Sequence, residues 1–449
     1  MNWALSDVVE ATRGTLSGDP SIMWSGAEID TRRDVQNKVF FALQGDRTDG
    51  HEFIERAIEG GCVAVVVSKN VTASVPVIQV DDPRKALFAL AQFIRAKMNV
   101  QTAIAITGSV GKTTTKDLLA SLLGSDATVS PASFNNDLGI PLTLLHGERA
   151  KNIVIEVGAN ACGEIEPLAK LVGADIAIIT AIQKAHLEGF GSIEAIFNEK
   201  MKLIEALESD GVAIVPLELQ IDSASLACSL VTVGESNEAD VRVRTRCDAQ
   251  GFAMLDVGAG FVTLRILGKH NAVNAALAVV AAQRAFQRQG KEITLQALLE
   301  KVSSIGGTAG RLMKTEINGI TVIDDAYNAN PASMKAAIEM FSHMSGARKI
   351  LVLGDMLELS DQSDIEHRRI GGSIAKLSFD QVILVGKAMA SAAKILPDAR
   401  YEESHCDQTM LSIANTFQRG DCVLLKGSRG MQLERIIECL QEGAKVSLQ

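Results

Sequence analysis

TAIAITGSVGKTTT, residues 102–115, is the stretch that decides the fold. Its first six residues form a short apolar run without polar alternation, which predicts a strand buried on both faces of a parallel sheet. Gly108 and Gly111 then permit a tight backbone turn, and KTTTKDLLASLL (112–123) reads as the helix that follows. Amides at a helix N-terminus have no partners within the helix, so a strand, glycine loop and helix in series can cradle phosphate. In that frame Lys112 is placed to reach the β- and γ-phosphates of a triphosphate, and the Thr113 hydroxyl can ligate magnesium. Gly108, Ser109, Gly111, Lys112, Thr113 and Thr114 are the candidate nucleotide-binding set. The spacing from Gly108 to Lys112 is shorter than in the commonest phosphate loop. A Gly/Ser turn before an ordinary helix is the plain alternative, and the strand in front weighs against it.

Outward from this unit, NIVIEVG, DIAIITAI and GVAIVP are further apolar runs of strand length, separated by helical stretches such as SIEAIFNEKMKLIEAL. Residues 231–267 read as an antiparallel insertion, and HNAVNAALAVVAAQRAF as the helix that closes the unit. After Arg311 a second alternating series begins with ITVIDDA, KILVLGD, QVILVG and DCVLLKG, which predicts a second doubly wound unit. Before it all, VAVVVSK and PVIQV read as strands, and residues 84–98 as an amphipathic helix leading into the central unit. The expected fold is α/β with three domains. Residues 1–83 form a small mixed α/β domain, 84–311 a central P-loop parallel-sheet domain, and 312–449 a C-terminal Rossmann-like domain.

A chain of 449 residues exceeds one ordinary core, in keeping with that division. Its net charge of -10, with no dense run of Lys and Arg, argues against a nucleic-acid groove, so an anionic ligand must be captured locally. Seven scattered cysteines without a CxxC pair predict reduced thiols, not a zinc site or a disulfide framework. The start, MNWALSDVVEATRG, does not read as a signal peptide, and no apolar run reaches the ~18 residues of a membrane span. A cytoplasmic location is expected.

Glu156 ends the run NIVIE, and a carboxylate at a strand end beside a phosphate loop is a magnesium site in many nucleotide-binding sheets. A solvated turn is the plain alternative. His186, in KAHLEGFG, follows DIAIITAI on the edge where open α/β sheets bind ligands, which suggests a second metal-binding role over simple packing. Lys200, judged from its neighbours alone, reads as a lysine on a solvated helix face.

TGSVGKTTTK, FNNDLGIPLTLL, EVGAN, AHLEGFGS, GKHN, Gly310-Arg311, DDAYNANP, LGDMLELS and LLKGSRGM occur in this order. Together, from about Asp30 to Glu434, they resemble the Mur ligases. Asp30-Thr-Arg32 followed by DGHEFI, with FNNDLGIPLTLL and DDAYNANP, is similar to the branch that adds D-alanyl-D-alanine. The resemblance implies an ATP- and Mg2+-dependent ligase of peptidoglycan synthesis. Such an enzyme joins D-alanyl-D-alanine to UDP-N-acetylmuramoyl-tripeptide through an acyl phosphate, and a monomer is expected.

The same resemblance implies roles residue by residue. Lys112 and Thr113 would hold the ATP phosphates and the first metal, with Glu156 and His186 as metal ligands and Lys200 carbamylated by carbon dioxide. Lys112, His186 and Lys200 then make the catalytic set. Asn271 would stand beside the adenine, and Arg311, at a hinge, would reach the phosphates when the C-terminal domain closes. Asp325 (or Asp324) and Tyr327 would contact nucleotide. Asp30, Thr31 and Arg32, with Asp49 and His51 nearby, would hold the UDP-sugar end, and Asn135 and Asn136 the sugar nucleotide or the metal-bound phosphate. The chain departs from the family at Thr31, where Ser is more usual, and at Met201-Lys202, where Gly-Glu is usual. Two rivals stay open: a related ligase adding a single amino acid, or glutamate to folate, and a nucleotide-dependent switch without ligase chemistry.

Overall fold

The computed structural model describes residues 3–45, 48–131, 134–146, 150–183, 187–307, 309–345 and 348–446. Among these the central unit is a seven-stranded sheet, in spatial order Val241–Arg242, Ser229–Gly234, Val212–Pro216, Ile176–Ile179, Thr102–Thr107, Asn152–Glu156 and Ala127–Val129. Every pairing in it is parallel. The absence of polar alternation in Thr102–Thr107 has a direct cause. Ile104 and Ile106 pack with Leu119 and Leu122 of the helix Lys112–Leu123, while Ala103 and Ala105 belong to the core on the other face.

That other face is continuous with the core of the N-terminal unit through the helix Pro83–Lys97. Asp82 caps this helix by accepting the Arg84 and Lys85 amides, and Pro83 supplies the preset first turn. Its buried stripe of Leu87, Leu90, Ala91 and Ile94 shares one core with Phe41 and Val66 of one unit and Ile153 and Ile155 of the next. Each large apolar side chain so buried contributes roughly 1.5–3 kcal/mol. The N-terminal sheet itself has five strands, ordered Thr15–Ser17, Val77–Gln79, Ala64–Val67, Val39–Phe41 and Ala27–Glu28 among the described residues.

The C-terminal unit has six strands among the described residues, ordered Met313–Ile317, Ile320–Asp325, Cys422–Lys426, Lys349–Gly354, Gln381–Val385 and Arg400–Glu402. All of its pairings are parallel except the first, a hairpin turned by Asn318 and Gly319, both at positive φ. Asn-Gly at such a turn matches the twist of the paired strands.

The expected antiparallel insertion over 231–267 needs correction. Ser229–Gly234 and Val241–Arg242 extend the parallel sheet, because Val231 and Val233 complete the core under the helix Lys269–Arg288. Only Arg244–Cys247, Phe252–Asp256 and Val262–Leu267 form the antiparallel sheet. Among the described residues no helix is long and apolar enough to cross a membrane.

Candidate active site

A cavity of about 610 Å³ opens where the carboxyl ends of the central strands meet the C-terminal unit. The loop 108–111 forms its floor. Gly111 sits at φ +88 as N-cap of the helix Lys112–Leu123, and a Cβ there would lie 2.4 Å from Asn274 Oδ1. Ser109 staples the loop to the neighbouring strand end: its N–H donates to Ala181 O (2.7 Å) and its Oγ to Gln183 O (2.9 Å). Lys112 Nζ donates to Gly108 O at 2.8 Å, so the ammonium lies over the loop. Burial holds Lys112 below the usual lysine range, Arg311 adds to that effect, and Glu156 opposes it. Ser109, Gly111, Lys112, Thr113 and Thr114 all line the cavity, whereas Gly108 shapes the turn beneath it.

Forcing a Cβ into this turn tests it. Gly111→Ala is expected to cost about 1–2 kcal/mol from the left-handed backbone alone. A lowered denaturation midpoint together with weaker ATP binding by calorimetry is the expected result. Unchanged values of both would rule out a built loop.

Glu156 is 3% exposed, and its carboxylate is shared: Oε2 accepts from Thr113 Oγ1 at 2.7 Å and Oε1 from Asn135 Nδ2 at 3.0 Å. Its backbone N–H donates to Ser130 Oγ, whose carbonyl is held by the buried Lys116 ammonium at 2.8 Å. Hydroxyl and carboxylate oxygens meeting at the end of a phosphate loop are the hard donor set that suits magnesium. Among the described residues no three His, Cys, Asp or Glu side chains are grouped so as to hold a metal ion by themselves, and His186 lies outside them. Asn136 lines the cavity while its Oδ1 accepts the Gly139 N–H at 2.9 Å. Asn271 also lines it, with its amide tied to Leu267 O and to Asn274.

Lys200 corrects the expectation of a solvated face, being 4% exposed. Burial, reinforced by the nearby Lys112 cation, brings its pKa down to about 7, with Glu199 acting the other way. Glu199 is itself buried and accepts the Gly163 and Ile165 amides at 2.8 and 2.7 Å, which locks this helix to the loop following Glu156. Lys202, where the chain departs from the family, turns outward and pairs with Glu205 at 2.6 Å.

From the C-terminal side come Arg311, Asp325, Tyr327 and Lys426. The Arg311 guanidinium lies 4.3 Å from the Tyr327 ring centroid, a cation–π contact. Asp324 accepts the Gly310 and Ala326 amides, while Asp325 accepts the Leu312 amide at 3.2 Å and pairs with Lys426 at 2.6 Å. Burial pushes both carboxyls up, and Lys426 opposes this at Asp325.

Asp30, Thr31 and Arg32 do not line this cavity. Asp30 and Arg32 pair with each other at 2.7 Å, and the guanidinium holds Asp30 down to about 2. The Asp49 carboxylate lies 2.6 Å from His51 Nδ1, and His51 Nε2 accepts the Ser68 N–H at 3.1 Å, so the ring pins one loop to the strand Ala64–Val67. Sequence reasoning passed over Asn274, which fills the space beneath Gly111, and Lys426, although LLKGSRGM contains it. The one available signal at Lys426 was a charge ending a strand of apolar residues, the same pattern that singled out Glu156.

Comparison with known proteins bears on all of this. Family models for the Mur ligase catalytic, middle and glutamate ligase domains match residues 25–95, 106–282 and 310–429. A UDP-N-acetylmuramoyl-tripeptide–D-alanyl-D-alanine ligase of Bacillus subtilis is 34% identical over 98% of both chains. A crystal structure of MurF from Acinetobacter baumannii superposes with a TM-score of 0.86 at 31% identity, over 98% of this chain and 99% of that one. MurF ligase from Thermotoga maritima, solved in complex with ADP, shares the fold at 24% identity and a TM-score of 0.78, over 94% and 98% of the two chains.

Proposed function

We propose that this chain, which belongs to the Mur ligase family, joins D-alanyl-D-alanine to UDP-N-acetylmuramoyl-tripeptide at the expense of ATP in peptidoglycan synthesis. The observation that carries this is one cavity bringing the phosphate loop, the Thr113–Glu156 oxygen pair and Arg311 together, in a chain similar to D-alanyl-D-alanine ligases over almost its whole length. Similarity of that extent also speaks against the folate-type and switch alternatives.

A carboxylate is a poor electrophile, so amide formation needs it activated. In the first step a carboxylate oxygen of the tripeptide bonds to the γ-phosphorus of ATP. The bond to the β,γ-bridging oxygen breaks, and ADP leaves. Two anions must approach, so the residues that matter are the cations facing the phosphates, Lys112 and Arg311. The dipeptide amine then attacks the acyl carbon, loses a proton, and expels phosphate. Thr113 and Glu156 would hold magnesium, whose chemistry when bound is to neutralise phosphate charge.

Lys200 supports a carbamate at that position. Carbon dioxide reacts with a neutral amine, and an amine with pKa about 7 has a substantial neutral fraction at ordinary pH where an exposed lysine has almost none. Asn271 would face the adenine, Tyr327 the nucleotide, and Asn135 and Asn136 the sugar nucleotide or phosphate side. Asp30, Thr31 and Arg32, on the N-terminal unit, would take the UDP end. The enzyme would act as a monomer in the cytoplasm, where ATP and UDP-linked precursors are made.

Phosphate release with UDP-N-acetylmuramoyl-tripeptide tests the proposal. D-alanyl-D-alanine is expected to stimulate release and to appear in the amide product, and single amino acids are not. Equal stimulation by a single amino acid would overturn the dipeptide assignment, and release without amide product would overturn the ligase reading.

A further inference from the structure

We propose that Lys426 is a positioning residue that, through Asp325, fixes the linker at Leu312 and so sets the place of the Arg311 guanidinium in the cavity wall. The inference rests on the reading of Arg311 as a phosphate-facing cation. Lys426 ends the strand Cys422–Lys426 after three fully buried apolar residues, Val423, Leu424 and Leu425, and its own side chain is 2% exposed. The parallel register sets it directly against Asp325, the last residue of Ile320–Asp325. Its ammonium lies 2.6 Å from Asp325 Oδ2 and donates to Asn328 O at 3.2 Å.

Asp325 has two oxygens and uses them differently. While Oδ2 takes the ammonium, Oδ1 accepts the N–H of Leu312, the residue after Arg311. On the other side of Arg311, Gly310 donates to Asp324 Oδ2 at 3.1 Å and accepts the Tyr327 N–H at 3.1 Å. Both neighbours of Arg311 are thus tied to the end of one strand, and the guanidinium rests on the Tyr327 ring. Leu312 holds a left-handed φ of +54, a conformation a leucine keeps only when its surroundings impose it.

Taking an ion pair out of water costs several kcal/mol per ion, so a buried pair is weak evidence of stabilisation and better evidence of a fixed geometry. Here the geometry fixed is that of Arg311. Without Lys426 the Asp325 carboxylate would be buried alone, protonation would be favoured, and its hold on Leu312 would weaken.

A double-mutant cycle separates this role from direct substrate contact, which Lys426 could also make from the cavity wall. The enzyme with ATP, UDP-N-acetylmuramoyl-tripeptide and D-alanyl-D-alanine is assayed as wild type, R311A, K426M, D325N and R311A/K426M. K426M and D325N are expected to lower kcat about 10- to 100-fold, and in K426M the KM for ATP stays within about threefold, because the loop that holds the phosphates is untouched. R311A/K426M is expected within about threefold of R311A alone. Multiplying effects would overturn the proposal, since Lys426 would then act independently of Arg311. A normal kcat for R311A would instead remove the phosphate role of Arg311, and the proposal with it. Should K426M not fold, D325N/K426M, which leaves no lone buried charge, takes its place in the same cycle with R311A. A wild-type kcat in folded K426M would overturn the proposal on its own.

Discussion

Lys112→Ala is expected to lower amide-forming turnover by at least about 10³-fold and to leave the fold intact. The size follows from the reaction. A carboxylate must approach a triphosphate, and within the cavity Lys112 is the cation carried on the loop itself, at the head of the helix Lys112–Leu123. Its partner at rest is the Gly108 carbonyl, a neutral acceptor that water can replace, so truncation strands no buried charge. Burial disfavours this ammonium by more than Glu156 favours it, and Arg311 adds a smaller repulsion, so its removal relieves a net electrostatic cost in the resting protein. Stability should therefore stay level or rise slightly as activity disappears. Lys112→Arg is not a rescue, because a planar guanidinium cannot occupy the place of a compact ammonium inside so tight a turn. Thermal denaturation and phosphate release measured on the same preparations decide the matter. A folded alanine variant within tenfold of wild type would remove Lys112 from phosphoryl transfer.

The contrast between what was and was not readable follows from the range of the interactions. The helix Lys112–Leu123 begins and ends where KTTTKDLLASLL does, because its strand, glycines and first turn are contiguous and each residue type has a local reason. Glu156 is legible locally only as the end of an apolar strand, since its contact with Thr113 spans 43 residues. Asp325 was not readable as a linker anchor, since its partners at Leu312 and Lys426 lie 13 and 101 residues away in the chain. The hairpin at Met313–Asp325 was missed although Asn318-Gly319 announced it. The continuation of the parallel sheet at Ser229–Gly234 depended on a distant neighbour, and short apolar runs carry no sign of strand direction. Lys200 is the instructive case. It stands four residues from both Ile196 and Ile204 and three from Leu203, so it falls on the apolar stripe of its helix, and only the expectation that lysines face water hid its burial.

That burial makes the second large effect. Lys200→Met is expected to cost about 10²-fold or more in turnover and, at the same time, to stabilise the protein in a pH-dependent way. The activity loss follows if a carbamate at this amine is needed, since a thioether cannot form one. The stability change follows from linkage. In the folded chain the Lys200 pKa is brought from 10.5 to about 7. Below pH 7 both folded and unfolded chains carry the proton, and folding bears the full cost of burying an ammonium. Between about 7 and 10.5 the unfolded chain binds the proton and the folded chain does not, so wild-type stability climbs with pH across that window. Methionine has no such cost. In buffers freed of carbon dioxide the variant should exceed wild type in stability at pH 6, and its advantage should shrink as pH rises through 7 towards 10. A stability difference that is flat across this window would mean that Lys200 is not a buried ionisable amine. The rationale for its carbamylation would then be lost, even if turnover had fallen as expected.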